Sequence, residues 1–247
     1  MLAEVAKQKG ISLCGIQRDQ TTADFSNQYL KPPDAILLAS DLSQEVVAGA
    51  LTKLDLSDNQ MCGLNHVGFG AFTAEGITAM ADALRVNGTL TALNLSSNRL
   101  NDEDVSAVCK AIQSNKETKL ASLNFKDNGI GPVGANAVAA MVAATGALTV
   151  ANLLGNELDA ESAKMLAEVA KQKGISLCGI RRDQTTADFR DKDLKPPDAI
   201  LLASDLSQAV VTGALTKIEL SRNFIGEEGK ALIREALQGK AGFELLF

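Results

Sequence analysis

LTKIELSRNFIGEEGKALIREAL, residues 215–237, opens with nine residues that follow the pattern LxxLxLxxN. Four more copies stand upstream: LTKLDLSDN from Leu51, LTALNLSSN from Leu90, LASLNFKDN from Leu120 and LTVANLLGN from Leu148. Five copies identify the chain as a repeat array. Within a copy, apolar and polar residues alternate, so Leu54 and Leu56 point inward while Lys53, Asp55 and Ser57 point outward, as in a short strand. The remainder of each unit runs at helical period: Ile77, Met80, Ala81 and Leu84 share one face, as do Val105, Val108, Cys109 and Ile112. KPPDAILLASDLS, from Lys31, places Pro33 and Asp34 where a helix begins.

The segment ISLCGIQRDQTTADF, residues 11–25, returns almost unchanged as ISLCGIRRDQTTADF, residues 175–189. Read in the register of the other copies, Ile11, Cys14 and Ile16 take the apolar positions and Asp19 the Asn position, repeated by Ile175, Cys178, Ile180 and Asp183. Units then start near 11, 51, 90, 120, 148, 175 and 215, within a single domain spanning 1–247. Residues 1–10 equal residues 165–174, the tail of a helix, and form a partial unit; residues 238–247 are expected to cap the last unit. Long loops are expected at 20–32, 60–72 and 184–196. The recurrent Asn (Asn59, Asn98, Asn128, Asn156, Asn223) carries both donor and acceptor and can tie its turn to the neighbouring backbone.

The long pattern of residues 215–237, followed closely by LASLNFKDNGIGPVGANAVAAMV from Leu120, resembles the leucine-rich repeat family, specifically its ribonuclease-inhibitor-like class. That resemblance implies an α/β solenoid, a curved horseshoe with a parallel sheet on the concave face and helices on the convex face. A lone strand and helix cannot bury their apolar stripes, whereas stacked units share one continuous core.

Composition excludes several roles. A net charge of −6 gives no basic footprint for nucleic acid or anionic lipid, and no Trp with one Tyr leaves few stacking platforms. The uncharged stretch from Asn128 to Asn156 contains Gly, Pro and Asn, and reads as helix plus strand rather than a membrane span. Lys7, Lys9 and Glu4 stand where a secretory signal needs an apolar run, so the expected location is cytoplasmic. Cys14, Cys62, Cys109 and Cys178 lack paired spacing and read as reduced thiols, Cys14 and Cys178 as small buried hydrophobes.

No catalytic, metal or cofactor site is expected. The single histidine, His66, follows Cys62 with three residues between them, a spacing that suggests two metal ligands, but no second Cys/His pair accompanies them. Gly63, Gly68 and Gly70 lack a phosphate-binding motif, and the acids of residues 101–104 and of Glu227–Glu228 sit at helix starts. What remains is a protein-binding surface on the outward strand positions: Lys53, Asp55, Asn94, Lys126, Val150, Asn152, Leu154, Leu177, Arg181, Arg182, Glu219 and Arg222. Val150, Leu154 and Leu177 are expected to form an exposed apolar spot beside the three arginines. The expected function is a non-catalytic scaffold for a protein partner, using the concave face and the long loops. A GTPase activator of the Ran type, a class the resemblance includes, and the sensor part of a multidomain receptor are the alternatives; the oligomeric state is left open. Between residues 1–59 and 165–223 ten positions differ, and the outward changes are the drastic ones: Gln17 to Arg181, Asp58 to Arg222, Ser26 to Arg190.

Overall fold

The computed structural model describes residues 2–65 and 67–247. Strands and helices alternate along it: α1 (Leu2–Lys9), β1 (Thr22–Asp24), α2 (Pro32–Leu42), α3 (Glu45–Ala48), β2 (Lys53–Asp55), α4 (Glu75–Leu84), β3 (Ala92–Asn94), α5 (Asp102–Ser114), β4 (Ser122–Asn124), α6 (Pro132–Ala144), β5 (Val150–Asn152), α7 (Ala160–Lys173), β6 (Thr186–Asp188), α8 (Pro196–Ser207), α9 (Ala209–Thr212), β7 (Lys217–Glu219), α10 (Gly226–Ala236) and β8 (Glu244–Leu246). Every strand pair is parallel and in sequence order, as a solenoid requires. The helices line the opposite, convex face.

The core follows the two periods. Leu54, Leu56, Leu93, Leu95, Leu123, Phe125, Ile218 and Leu220 are buried from the strand side. The predicted faces of α4 and α5 meet them, with Ile77, Met80, Ala81, Val105, Val108 and Cys109 equally buried. Helix starts carry local acceptors for their orphan amides. Asn101 Oδ1 accepts from Asp104 N at 2.9 Å, and Asp159 Oδ1 accepts from Ser162 N at 2.7 Å.

Between strand and helix, one asparagine per unit links the turns. Asn128 Oδ1 accepts from Asn98 N and Leu100 N of the preceding unit, while its Nδ2 donates to Leu95 O and Phe125 O. Asn156 repeats this one unit on, accepting from Asn128 N and Ile130 N. Asn59 and Asn223 do the same for Leu30 N and Leu194 N.

Two features depart from the expected register. The strands of the duplicated units do not lie at 13–17 and 177–181 but at β1 and β6, inside the segments expected to be loops. TADF there is itself a period-two strand, with Ala23 and Ala187 at the inward Leu position. Asp19 and Asp183 consequently do not occupy the Asn position; Gln28 and Lys192 do, and their amides donate to Asn59 and Asn223. The sheet is also divided: β1 to β5 form one, β6 to β8 another.

Across the division, residues 175–178 lie beside β5 and are held from behind by Asp205 of α8. Its fully buried carboxylate accepts from Ser176 Oγ (2.6 Å), Leu177 N (2.8 Å) and Cys178 N (3.0 Å). Asp198, at the start of α8, accepts from Gly155 N of the turn after β5 at 2.9 Å.

Two measurements test this framework. Asn128→Ala removes these four bonds to its own and the preceding unit and is expected to cost about 4 kcal/mol in urea unfolding, at about 1 kcal/mol per bond. Asn98→Ala is expected to cost less, because Asn98 Oδ1 has no partner among the described residues. Burial pushes the Asp205 carboxyl up to about 6 despite its three donors. Its folded pKa exceeds the unfolded value of about 3.9, so its contribution is fully present below about pH 4 and lost as pH rises through about 6. Relative to Asp205→Asn, the parent chain is expected to lose on the order of 2 kcal/mol of stability between pH 4 and 7, read from unfolding curves across that range.

Candidate partner-binding surface

The outward strand residues form rows across the concave face. The second residue of this row set is Asp24, Asp55, Asn94, Asn124 and Asn152 on the five-stranded sheet, then Asp188 and Glu219 on the other. Each turns back to cap an amide two residues on: Asp55 Oδ1 accepts from Ser57 N, Asn94 Oδ1 from Ser96 N, Asn152 Oδ1 from Leu154 N and Glu219 Oε1 from Ser221 N. Asn94 Nδ2 also donates to Asp55 Oδ2 at 2.9 Å. These Asx-type turns end the strands, so Asp55, Asn94, Asn152 and Glu219 serve the fold as well as facing outward.

The expected apolar spot does not exist. Leu154 and Leu177 are completely buried and Val150 is 9% exposed. Leu177 is not a strand residue; it packs in the junction between the sheets, where its carbonyl accepts from Leu153 N. Leu154 belongs to the same core cluster. Sequence alternation assigned them outward because it cannot foresee that the array is covered at its division.

The arginines are exposed but engaged, and Lys126 is half-buried. Arg181 lies 3.6 Å from Asp183, Arg182 Nη2 donates to Gly174 O, and Arg222 lies 3.5 Å from Asp191. Lys126 pairs with Asp127. Arg190, which sequence reading left in a loop, joins the concave face after β6 and holds the Asp188 carboxyl down at about 2. Lys217 bridges to Glu244 at 2.6 Å, so the smaller sheet presents charge already neutralised in pairs. Lys53 on β2 is exposed.

The strongest departure from the repeat surface is the segment after Asn59. Seventeen positions separate Asn59 from Gly76, where only six separate Asn223 from Gly229, yet both glycines abut the equivalent alanine of the preceding helix, Ala35 and Ala199. The first copy thus carries an eleven-residue insertion. It forms a finger closed by an antiparallel bridge between Leu64 and Gly70, with Asn65 N donating to Phe69 O and Thr73 N to Cys62 O. Gly63 and Gly70 sit at positive φ, and a Cβ on either would come within 2.2 Å of a carbonyl oxygen. Buried Cys62 anchors the base, its Sγ donating to Asn98 O at 3.3 Å. His66, considered beside Cys62 from sequence, lies outside the described residues. The finger holds Val67, Phe69 and Phe72 in solvent, 55%, 76% and 44% exposed. Beside it an open cavity of about 450 Å3 is lined by Leu64, Asp58, Ser97, Arg99, Asp127 and Glu157.

Nothing in this geometry points to chemistry on the thiols. Burial pushes all four up, Cys14 to about 12 with the Asp41 charge adding to it, so none is a ready thiolate. Among the described residues no cluster of three or more His, Cys, Asp or Glu forms a metal site, and no helix is long and apolar enough to cross a membrane.

If Leu154 is core rather than interface, Leu154→Ala is expected to lower unfolding free energy by about 2 to 5 kcal/mol. A melting temperature equal to the parent's returns it to the surface.

The leucine-rich repeat family profile matches residues 86–109 and 116–139. NACHT, LRR and PYD domains-containing protein 5 of Bos taurus is 27% identical over 210 residues, 82% of this chain and 17% of that protein. NACHT, LRR and PYD domains-containing protein 13 of Homo sapiens is 29% identical over 141 residues, 57% of this chain and 13% of that protein. The chain therefore spans less than a fifth of the length of these relatives. Among solved structures, an internalin from Listeria monocytogenes is similar at 15% identity with a TM-score of 0.37, over 84% of this chain and 57% of its own. With the repeated LxxLxLxxN units, the parallel strand array and the family match together, the chain is a leucine-rich repeat protein.

Proposed function

We propose that the chain is a non-catalytic protein-interaction scaffold that takes its partner on the concave face of the larger sheet and on the finger. The observation that carries this reading is the finger: an insertion whose backbone is tied by its own hydrogen bonds, yet which presents Val67, Phe69 and Phe72 to solvent. Exposed aromatic side chains on a preorganised loop lose little entropy on binding and supply large contact area. The neighbouring exposed Asp58 and Lys53 add polar rim contacts. Four free thiols favour a reducing, cytoplasmic setting.

A second reading, as the sensor or regulatory part of a larger receptor, is favoured by the two relatives, whose names include NACHT and PYD domains and of which this chain matches only a small part.

The test is a binding titration against partners recovered by affinity capture. Phe69→Ala is expected to weaken a genuine partner at least tenfold, corresponding to about 1.4 kcal/mol, with an unchanged melting temperature. Lys53→Glu is expected to have a smaller effect that fades with salt. Captured partners that bind both variants like the parent would sink the assignment of this face.

A further inference from the structure

The two copies hold an equivalent carboxylate pair in two electrostatic states. Asp24 of β1 stands beside Asp55 of β2, and Asp188 of β6 stands beside Glu219 of β7, each pair on neighbouring parallel strands roughly 4.8 Å apart. Both pairs belong to the concave face, alternating with inward Ala23 and Ala187. Their backbone frames match. Asp24 Oδ1 accepts from Ser26 N at 2.9 Å and Asp188 Oδ1 from Arg190 N at 3.0 Å, while Phe25 N and Phe189 N donate to Asp55 O (2.9 Å) and Glu219 O (2.8 Å).

What differs is the occupant. In the second copy Arg190 lays its fork along a carboxylate, with Nε 3.1 and 3.2 Å from the two oxygens of Asp188 and Nη2 2.6 Å from Oδ2. Its charge reaches the other member of the pair, since hydrogen bonds from Ser221 and then the field of Arg190 hold the Glu219 carboxyl below its ordinary value. In the first copy the position of Arg190 is Ser26, and among the described residues no cation pairs with Asp24 or Asp55. The hydrogen bonds of Asp55 come from neutral donors, Ser57 and Asn94. Asp58 adds a third carboxylate where the second copy has Arg222, and residues 26–29 carry no cation where the second copy has Arg190 and Lys192. Lys53 lies at the far end of β2, the place that Lys217 takes in the second copy beside an occupied pair. Hydrogen bonds from Ser26 hold the Asp24 carboxyl low, so it is charged at neutral pH.

We propose that Asp24 and Asp55 form a binding site for an arginine side chain of a protein partner, which sets its guanidinium where Arg190 sets its own in the second copy. This rests on the reading of the concave face as a partner surface, and it names the partner's chemistry there. An open carboxylate pair holds a free cation weakly, because both charges stay in water. Arg190 is retained because its backbone is already in place, and a partner seated elsewhere on the concave face fixes its arginine in the same way. The site prefers a guanidinium to an ammonium because a planar fork offers a carboxylate two donors at once.

Carboxylate carbon NMR tests the site on the full chain, with N-acetylarginine amide as the probe and the lysine and citrulline amides as controls. In the parent, Asp24 and Asp55 are expected to shift further with arginine than with lysine and to ignore citrulline, while Asp188 and Glu219 stay still. Ser26→Arg copies a turn that the fold already accepts in the second copy, and it is expected to fill the first site and silence it. Arg190→Ser is expected to open the second. A protein partner recovered by capture is expected to bind Ser26→Arg about tenfold more weakly than the parent, and Ser26→Ala like the parent. Equal shifts with lysine and arginine, a response unchanged by Ser26→Arg, no gain from Arg190→Ser, or a partner indifferent to Ser26→Arg overturns the proposal. Phe69→Ala is expected to leave the probe titration unchanged, which separates the two readings. A silent titration with partners still weakened by Phe69→Ala removes the arginine site and keeps the finger; a responding titration with partners unmoved by Phe69→Ala does the reverse.

Discussion

The array rests on one carboxamide per turn. Asn is suited to this place because it accepts two amides of the preceding unit while donating to carbonyls of the preceding unit and its own, which a carboxylate or an ammonium cannot do. Where the residue is present the strands remain joined: Asn59, Asn128 and Asn156 sit in the larger sheet and Asn223 in the smaller. In the unit of β6 the position is held by Lys192, which provides its backbone amide to Asn223 but no carboxamide to reach back toward β5. The sheet divides at that unit. Continuity of the core there falls to two carboxylates of α8, with Asp205 gripping residues 176–178 and Asp198 gripping the turn at Gly155.

This also explains which parts of the fold were legible in the sequence. Five copies of LxxLxLxxN give the strands, their inward faces and the helices between them, because Leu at period two and apolar residues at helical period record burial directly. The duplicated units were misplaced because their strands spend Ala23 and Ala187 where the others spend Leu, while the preceding ISLCGI is more apolar than the strand itself. The segment is apolar for another reason, being built to lie against a strand rather than to be one. Leu154 and Leu177 failed similarly: they are outward by alternation and buried by a junction that exists only in three dimensions.

The two copies show how a repeat scaffold separates stability from presentation. Between them the clamp, the helix starts and the inward residues are kept, with Leu54 against Ile218 the single conservative change in the strand core. The block at 26–29, which becomes 190–193, falls in the turn that leaves β1 and β6, so these substitutions alter the concave rim and not an idle loop. One copy gains acidic Asp58 and the finger; the other gains Arg190 and Arg222, each matched by a carboxylate nearby.

The rim itself has a conformational cost that bears on its role. Immediately before the Asn position, Asp58, Ser97, Asp127 and Arg222 all take positive φ, and Asn27 and Asp191 do so in the duplicated units. Left-handed backbone costs a non-glycine residue about 1 kcal/mol, and glycine would remove that cost. Only Gly155 takes that course in this row, at the turn beside the sheet division, where a Cβ would collide with Asp127 Oδ1. Asp and Asn tolerate the conformation, but Arg222 has no such local advantage. A line of side chains is therefore held at the edge of the concave face against local preference, by turns that the asparagine ladder over-determines. The strain lies along the same edge from which the finger projects.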